Sequence, residues 1–372
     1  MTSSASVIGS SLIESLMGAI TDGIVALDCD KVPIFFNSRF ELLFNKVHRS
    51  REMLDLWRMR KLSIDEVFDH EALLRAFDAA ITYGESNSVN SLAFSKASAI
   101  QKQGLTKRFY SVSVSPLKER SGRICGALGI FHDVTELKSA EQIRIDFVAN
   151  VSHELRTPLT AIKGYTDTLI EDSLSKRELN IDFLNTISRN TNRLMNLIDD
   201  LLDLSSLEST DVLHKTQVDT LEFTNRIVDQ LKGQFEAKKQ KIDCQIDARV
   251  VLADAKRLEQ VLVNLLGNAN KYTPSGSRIQ LSWEPRKEDT ILKVSDNGPG
   301  IPLEHQARLF ERFYRVDKAR SREQGGTGLG LAIVKHIMQR HSGNVWVESI
   351  CATSDTTLNS GSTFVCRFPN YS

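Results

Sequence analysis

His153 lies in the run FVANVSHELRTPLT, residues 147–160, where Val148, Val151, Leu155, Leu159 and Ile162 recur at three- and four-residue steps. That spacing makes one apolar stripe of a helix and leaves His153 off it, facing water. An exposed neutral imidazole, with an ordinary pKa of about 6.5, is a good nucleophile near neutral pH. Glu154 is adjacent, and Thr157 stands one turn on, on the same face as His153. Pro158 cannot donate to the Glu154 carbonyl, so the helix is expected to bend or loosen beside the histidine. A lone exposed histidine is usually only solvated. What sets this one apart is a second group of residues downstream.

Three stretches form that group. Along residues 255–272, Leu258, Val261, Leu262, Leu265 and Leu266 mark a buried helix face, after Asp254 as a cap. Asn264, Asn268 and Lys271 stack along another face of the same helix. Two neutral oxygen ligands, Asn264 and Asn268, beside a cation suit a Mg²⁺ that carries triphosphate. Next, VSDNGPGI at residues 294–301 reads as a strand running into a glycine turn. Gly298 and Gly300 let the backbone and Asp296 approach a flat ligand closely. Last, GGTGLGL at residues 325–331 precedes a helix over 332–340. Glycines there expose backbone N–H groups and the positive end of the helix dipole to phosphate. Each motif alone is weak, since polar helix positions often face solvent and glycine loops are often turns. Together the three make an ATP site.

Residues 147–165, FVANVSHELRTPLTAIKGY, resemble the phosphoacceptor box of bacterial sensor histidine kinases, in the subgroup similar to the phosphate-regulon sensor. The three nucleotide motifs and LFERFY at residues 309–314 follow in that family's order, so the resemblance covers roughly residues 138–370. It implies that His153 accepts the γ-phosphoryl group of ATP on a ring nitrogen. It further implies that Glu154 orients the imidazole and takes its proton, and that Thr157 positions water when phosphate is removed from the partner. For the nucleotide it implies a GHKL-type (Bergerat) α/β sandwich with Asn268 and Asn264 at Mg²⁺, Lys271 on phosphate, Tyr272 near the base and Asp296 on the adenine amino group. Gly298, Gly300, Ile301, Arg312, Gly326, Thr327, Gly328, Leu329 and Gly330 complete the implied ATP-binding set. Residues 315–324 would be a lid. ATP-hydrolysing relatives carry a glutamate one turn before the metal asparagine; here that position is Asn264, which cannot remove a proton. Transfer to His153, and then to an aspartate of a separate receiver protein, is therefore favoured over hydrolysis. Two rival classes are an ATP-hydrolysing clamp or chaperone of the same superfamily and a non-catalytic scaffold.

The 372 residues carry 47 basic and 47 acidic side chains, so no bulk field draws the chain to nucleic acid or anionic lipid. Five cysteines are scattered without a CxxC pair, which fits a reducing compartment and argues against zinc. No apolar run approaches the roughly 20 residues of a membrane span, and no basic residue precedes Lys31. A soluble, cytoplasmic protein without an integral membrane segment is the expectation, a departure from many of the family's anchored members.

These residues need elements to position them, and the expected class is α+β multidomain. Residues 1–21 carry Ile8, Leu12, Ile13, Leu16, Met17 and Ile20 at helical spacing. Residues 22–135 alternate short β-branched runs (23–27, 34–36, 109–114, 126–131) with helical segments at 38–44 and 64–83, and Ser121-Gly122 marks a hairpin turn. That order, closed by Asp133-Val134-Thr135, resembles a PAS sensor domain. Its chain reads Asn37-Ser38-Arg39 where a photoreactive flavin version needs a cysteine, and His70 and His132 are lone histidines rather than a haem constellation. Residues 136–208 are expected to form a helical hairpin for dimerisation and phosphotransfer. A first helix of roughly 55 Å is followed by a second begun by the capping box at 175–178. The second helix carries Leu184, Ile187, Leu194, Leu197, Ile198, Leu201 and Leu204. A hairpin cannot bury both stripes alone, so a homodimer with a four-helix bundle is expected. Residues 209–216 would be a hinge and 217–372 the catalytic ATP-binding domain, with a strand at 241–251.

Overall fold

The computed structural model describes residues 20–48, 51–59, 62–95, 107–174, 180–208, 213–317, 326–351 and 360–370. The apolar helix expected before residue 20, the capping box at 175–178 and most of the expected lid lie outside them. The chain divides into two compact units, Met1–Asp146 and Phe147–Ser372.

The first unit is built on one antiparallel sheet. Its strands β1 (Gly23–Leu27), β2 (Pro33–Phe36), β3 (Asn87–Ser95), β4 (Lys107–Lys118) and β5 (Ile124–Asp133) lie in the order β2-β1-β5-β4-β3. The run GIVAL of β1 is buried along its whole length, as a central strand should be. Asp28 makes the tight turn out of β1, its carboxylate accepting from the N–H groups of Asp30 and Val32. Helices α1 (Ser38–His48), α2 (Arg51–Arg58), α3 (Ile64–Val67) and α4 (Glu71–Tyr83) connect the second and third strands. Their apolar faces close a core of rings: Phe40, Phe44, Trp57, Phe68, Phe77 and Phe131 are all buried. Phe40 and Phe131 meet edge-to-face, with centroids 5.2 Å apart.

Residues 64–83 were expected to be continuous helix, and they are not. A capping box between Ser63 and Glu66 starts α3, and Phe68 then leaves the helical region, with φ −116° and ψ 117°, to bury its ring. Packing of one aromatic side chain there outweighs local helix propensity.

Two long helices follow, α5 (Thr135–Leu174), whose residues from Phe147 on belong to the second unit, and α6 (Ile181–Glu208). Helix α5 runs through Pro158 without a break, so the expected loosening does not interrupt it. Helix α6 begins later than the sequence suggested, with Asn180 accepting from the N–H groups of Asp182 and Phe183. An α/β layer follows: β6 (Thr216–Asp219), α7 (Thr220–Ala237), β7 (Lys241–Ile246), β8 (Val250–Ala253) and α8 (Ala255–Tyr272). After these come β9 (Arg278–Pro285), β10 (Asp289–Asp296), α9 (Leu303–Gln306), α10 (Gly330–Arg340), β11 (Asn344–Ile350) and β12 (Gly361–Pro369). The expected strand over 241–251 is two strands in different sheets. One sheet runs β11-β12-β10-β9-β7, with only β7 and β9 parallel, and β6 pairs with β8 in the other.

Leu258, Val261, Leu262, Leu265 and Leu266 of α8 are fully buried, on the face that the sequence marked. The core they join includes Ile333, Val334 and Ile337 of α10 and Leu281 and Trp283 of β9. Leu197, Leu204 and Leu207 of α6 belong to the same core, with Leu155 and Leu201 packed against it. Part of the stripe expected to face a second copy is thus covered within one chain. Two of its members stay open, Leu184 at 45% and Ile198 at 47% exposure, and so do Leu202 beside them at 64% and Leu159 of α5 at 60%. Among the described residues no helix is long and apolar enough to cross a membrane.

Candidate functional site

His153 is exposed on α5, off the apolar stripe, and its imidazole makes no hydrogen bond to any described residue. One turn on, the Thr157 hydroxyl donates to the His153 backbone carbonyl at 3.2 Å. Glu154 is otherwise engaged: its carboxylate accepts from Arg193 of α6 at 2.8 Å and from Arg315 at 3.0 Å. All three side chains are largely buried, so these are charge-assisted bonds in a poorly hydrated setting. In this arrangement Glu154 is held by two arginines and not by the imidazole beside it.

Of the three downstream motifs, one lies on α8 and the other two each approach that helix, Gly330 against Asn264 and Gly298 against Thr273, the residue after its last turn. Asn264 and Asn268 lie on the half-buried face of α8, where the amide nitrogen of Asn264 donates to the Gln260 carbonyl at 2.9 Å. Gly330, the first residue of α10, sits directly against that side chain. A Cβ there would lie 2.5 Å from Asn264 Oδ1, so a larger residue at this position would push the Asn264 carboxamide aside. Asn268, one turn further along α8, makes no hydrogen bond to any described residue, which leaves its carboxamide oxygen available to a hard cation.

Asp296 ends β10, with its Oδ1 accepting from the Gly298 N–H at 2.8 Å. Burial pushes its carboxyl up from the usual range, against the two backbone N–H groups, of Gly298 and Ser362, that favour the charge. The Ile301 N–H is tied to the Ser349 hydroxyl at 2.8 Å, so β11 fixes the turn after Asp296. The glycine loop is anchored from the other side: the Phe313 N–H donates to the Gly328 carbonyl at 2.8 Å, and the Leu329 N–H to the Thr327 hydroxyl at 3.3 Å. Arg312 lies 5.2 Å from the Phe147 ring centroid and 3.3 Å from His336 Nε2.

Charge is concentrated where α6 meets this layer. Burial lowers the Lys271 ammonium from its ordinary value, and the nearby Arg315 lowers it further, while Asp200 opposes both. Tyr272, by contrast, is 42% exposed. Arg193 and Asp200 were not anticipated as functional. They stand seven residues apart on α6, beside the Leu197–Leu204 stripe, and that heptad spacing of charge along a docking face was the legible signal. Ser349 left no comparable trace, because its role depends on two strands meeting far apart in sequence.

Residues 143–210 match the model of the His Kinase A (phospho-acceptor) domain. Residues 253–372 match that of the histidine kinase-, DNA gyrase B- and HSP90-like ATPase. The sensor histidine kinase WalK of Bacillus subtilis is 34% identical over 343 residues, 91% of this chain and 53% of that protein. The sensor protein kinase WalK of Staphylococcus aureus is 37% identical over 255 residues, 67% of this chain and 60% of that protein. The chain thus spans little more than half the length of the curated relatives it matches. Among solved structures, histidine kinase ThkA in complex with the response regulator protein TrrA aligns with a TM-score of 0.51 at 21% identity. That alignment covers 96% of this chain and 98% of that one, and it shows a shared fold.

Proposed function

We propose that this chain, with a phospho-acceptor domain joined to an ATPase domain of the histidine kinase type, is the kinase portion of a two-component sensor. It phosphorylates itself on His153 with ATP and passes the phosphoryl group to an aspartate of a separate receiver protein. One observation supports this above the others. A single compact unit holds a water-facing histidine and a three-motif nucleotide site in which Asn264 stands where a hydrolase needs a general base.

Asn268, with Asn264 behind it, would hold Mg²⁺, which balances the charge of the triphosphate. Lys271 and Thr327 face the phosphates. Asp296, Gly298, Gly300 and Ile301 form the base pocket with Tyr272, and Arg312, Gly326, Gly328, Leu329 and Gly330 support the loop over it. In the transfer, a bond forms between a ring nitrogen of His153 and the γ-phosphorus as the bond to the ADP oxygen breaks. Glu154 takes the proton from the other ring nitrogen. In the arrangement described here both arginines bond its Oε2, so the carboxylate has to turn toward the imidazole before it can take that proton. Thr157 would orient water when phosphate is removed from the partner.

The first unit is read as a PAS sensor domain, supported by its sheet order β2-β1-β5-β4-β3 and intervening helices. At its end the Asp133 carboxylate accepts from the Thr135 N–H and from Arg108 at 3.0 and 3.1 Å. That clasp ties the last strand to the start of α5. The open stripe of α5 and α6 supports a homodimer with a four-helix bundle. Replacing His153 by Gln tests the reading: autophosphorylation should vanish while ATP binding stays. Labelling that persisted in this variant would refute His153 as the acceptor.

A further inference from the structure

Asp200 stands on α6 between Leu197 and Leu204, the two leucines that dock this helix on the ATPase layer. Its Oδ2 accepts a hydrogen bond from the Thr327 hydroxyl at 2.6 Å. The Lys271 ammonium attracts the same carboxylate, while burial, Asp203 and Asp199 all disfavour its charge. Thr327 is held from its other side as well, since its carbonyl accepts from Arg315 at 2.7 Å. Arg315 also reaches Glu154, and its Nε is buried without a hydrogen bond among the described residues.

The docked helix therefore sets a carboxylate of the protein itself beside two groups that the proposed nucleotide site needs. The Thr327 hydroxyl has one proton and cannot give it to a carboxylate and a phosphate oxygen at once. A carboxylate next to a triphosphate also repels it, most strongly where water is scarce. At the proposed adenine end, by contrast, Asp296 is bound to its own turn.

We propose that Asp200 is an internal competitor for the phosphate end of the nucleotide, so that ATP enters only as α6 lets go of the glycine loop. The proposal rests on the ATP-site reading above and adds a regulatory contact to it. Nucleotide binding and release of the docked helix become one equilibrium, and the apparent affinity is reduced by the fraction of molecules still docked. Arg315, which donates to both the Thr327 carbonyl and the Glu154 carboxylate, connects this phosphate end to the residue beside His153.

The test compares three probes on the full chain at fixed Mg²⁺: ATP, ADP and adenosine, titrated against wild type and Asp200→Asn. The neutral amide should tighten ATP and ADP by roughly threefold to tenfold, as expected when a docked state is depopulated. Adenosine, which has no phosphate to compete, should bind both proteins alike. Equal tightening of all three probes, no change with ATP, or weaker ATP binding would each overturn the proposal. Asp200→Ser repeats the measurement with a second neutral side chain should the amide fail to fold. A wild-type chain that bound none of the three would overturn the nucleotide site itself, a result distinct from probe-independent affinities in a binding-competent pair.

Discussion

Arg315 and Glu154 lie 161 positions apart in the chain, yet their side chains meet at 3.0 Å. The carboxylate next to His153, the proposed acceptor, is in this way bound to the segment that follows Leu309–Tyr314. Arg193 completes the clasp from α6, so one buried carboxylate is shared by two ion pairs drawn from three separate segments.

Removing Arg315 should therefore loosen the unit without unfolding it. Arg315→Ala leaves Glu154 with Arg193 but deletes the bonds to Glu154 and to the Thr327 carbonyl. A loss of about 1–3 kcal/mol in unfolding free energy is expected from urea denaturation. Arg308→Ala is the control, because the Arg308–Glu311 pair is more than half exposed on both sides and such pairs contribute little. Equal effects of the two substitutions would contradict the clasp.

Two glycines of the site region should respond in opposite ways. Gly330→Ala drives a methyl group into Asn264 Oδ1, whereas a Cβ at Gly267, in the middle of α8, meets nothing within 4 Å. Isothermal titration should show ATP affinity lowered by roughly tenfold in the first, since displaced oxygen ligands and loop cost on the order of 1.4 kcal/mol. The second should keep affinity and gain up to about 1 kcal/mol of stability from helix propensity. Unimpaired ATP binding by Gly330→Ala would remove the close approach from the account.

His341 sets an acid limit on the nucleotide unit. Its Nε2 accepts from the Asp254 N–H at 3.0 Å and its Nδ1 bonds the Ile337 carbonyl at 2.8 Å, a pattern that requires the neutral ring. Burial holds its pKa below the ordinary value. A base with a depressed folded-state pKa contributes stability that is complete above its unfolded pKa, about 6.5, and is lost as pH falls through the folded value. Thermal unfolding followed from pH 7.5 down to 5 should show that decline, and His341→Phe should flatten it. The same slope in both proteins would mean another group is responsible.

The open part of the α5–α6 stripe should join two copies. Ile198 and Leu202 are exposed on α6, while Leu197 and Leu204 are buried against α10 and α8. Sedimentation should find a dimer for the wild type and a monomer for Leu202→Arg, because one buried unpaired charge costs several kcal/mol. A monomeric wild type would refute the bundle.

Much of this was legible in the sequence, for reasons that differ by residue. Helix α8 is legible to both of its ends because Asp254 caps it and its leucines keep a helical period. The glycine motifs carried their spacing openly, although their approach to α8 was not visible until Gly330 was placed. Strand β3, NSVNSLAFS, could not be given a range because it is mostly polar and lacks a clean alternation. Helix α3 and the break at Phe68 were missed because tertiary burial of one ring overrode local preference. Asp200 and Arg193 were hidden in a different way. Their partners lie 127 and 39 residues away, and no local pattern encodes which carboxylate meets which loop.

The most direct test is to incubate the purified chain with γ-labelled ATP and Mg²⁺, then assay the protein-bound label and the free phosphate. The account predicts label on His153, stable in alkali and lost in acid, with little free phosphate released. Label on serine, threonine or tyrosine, or steady phosphate release with no labelled protein, would contradict it.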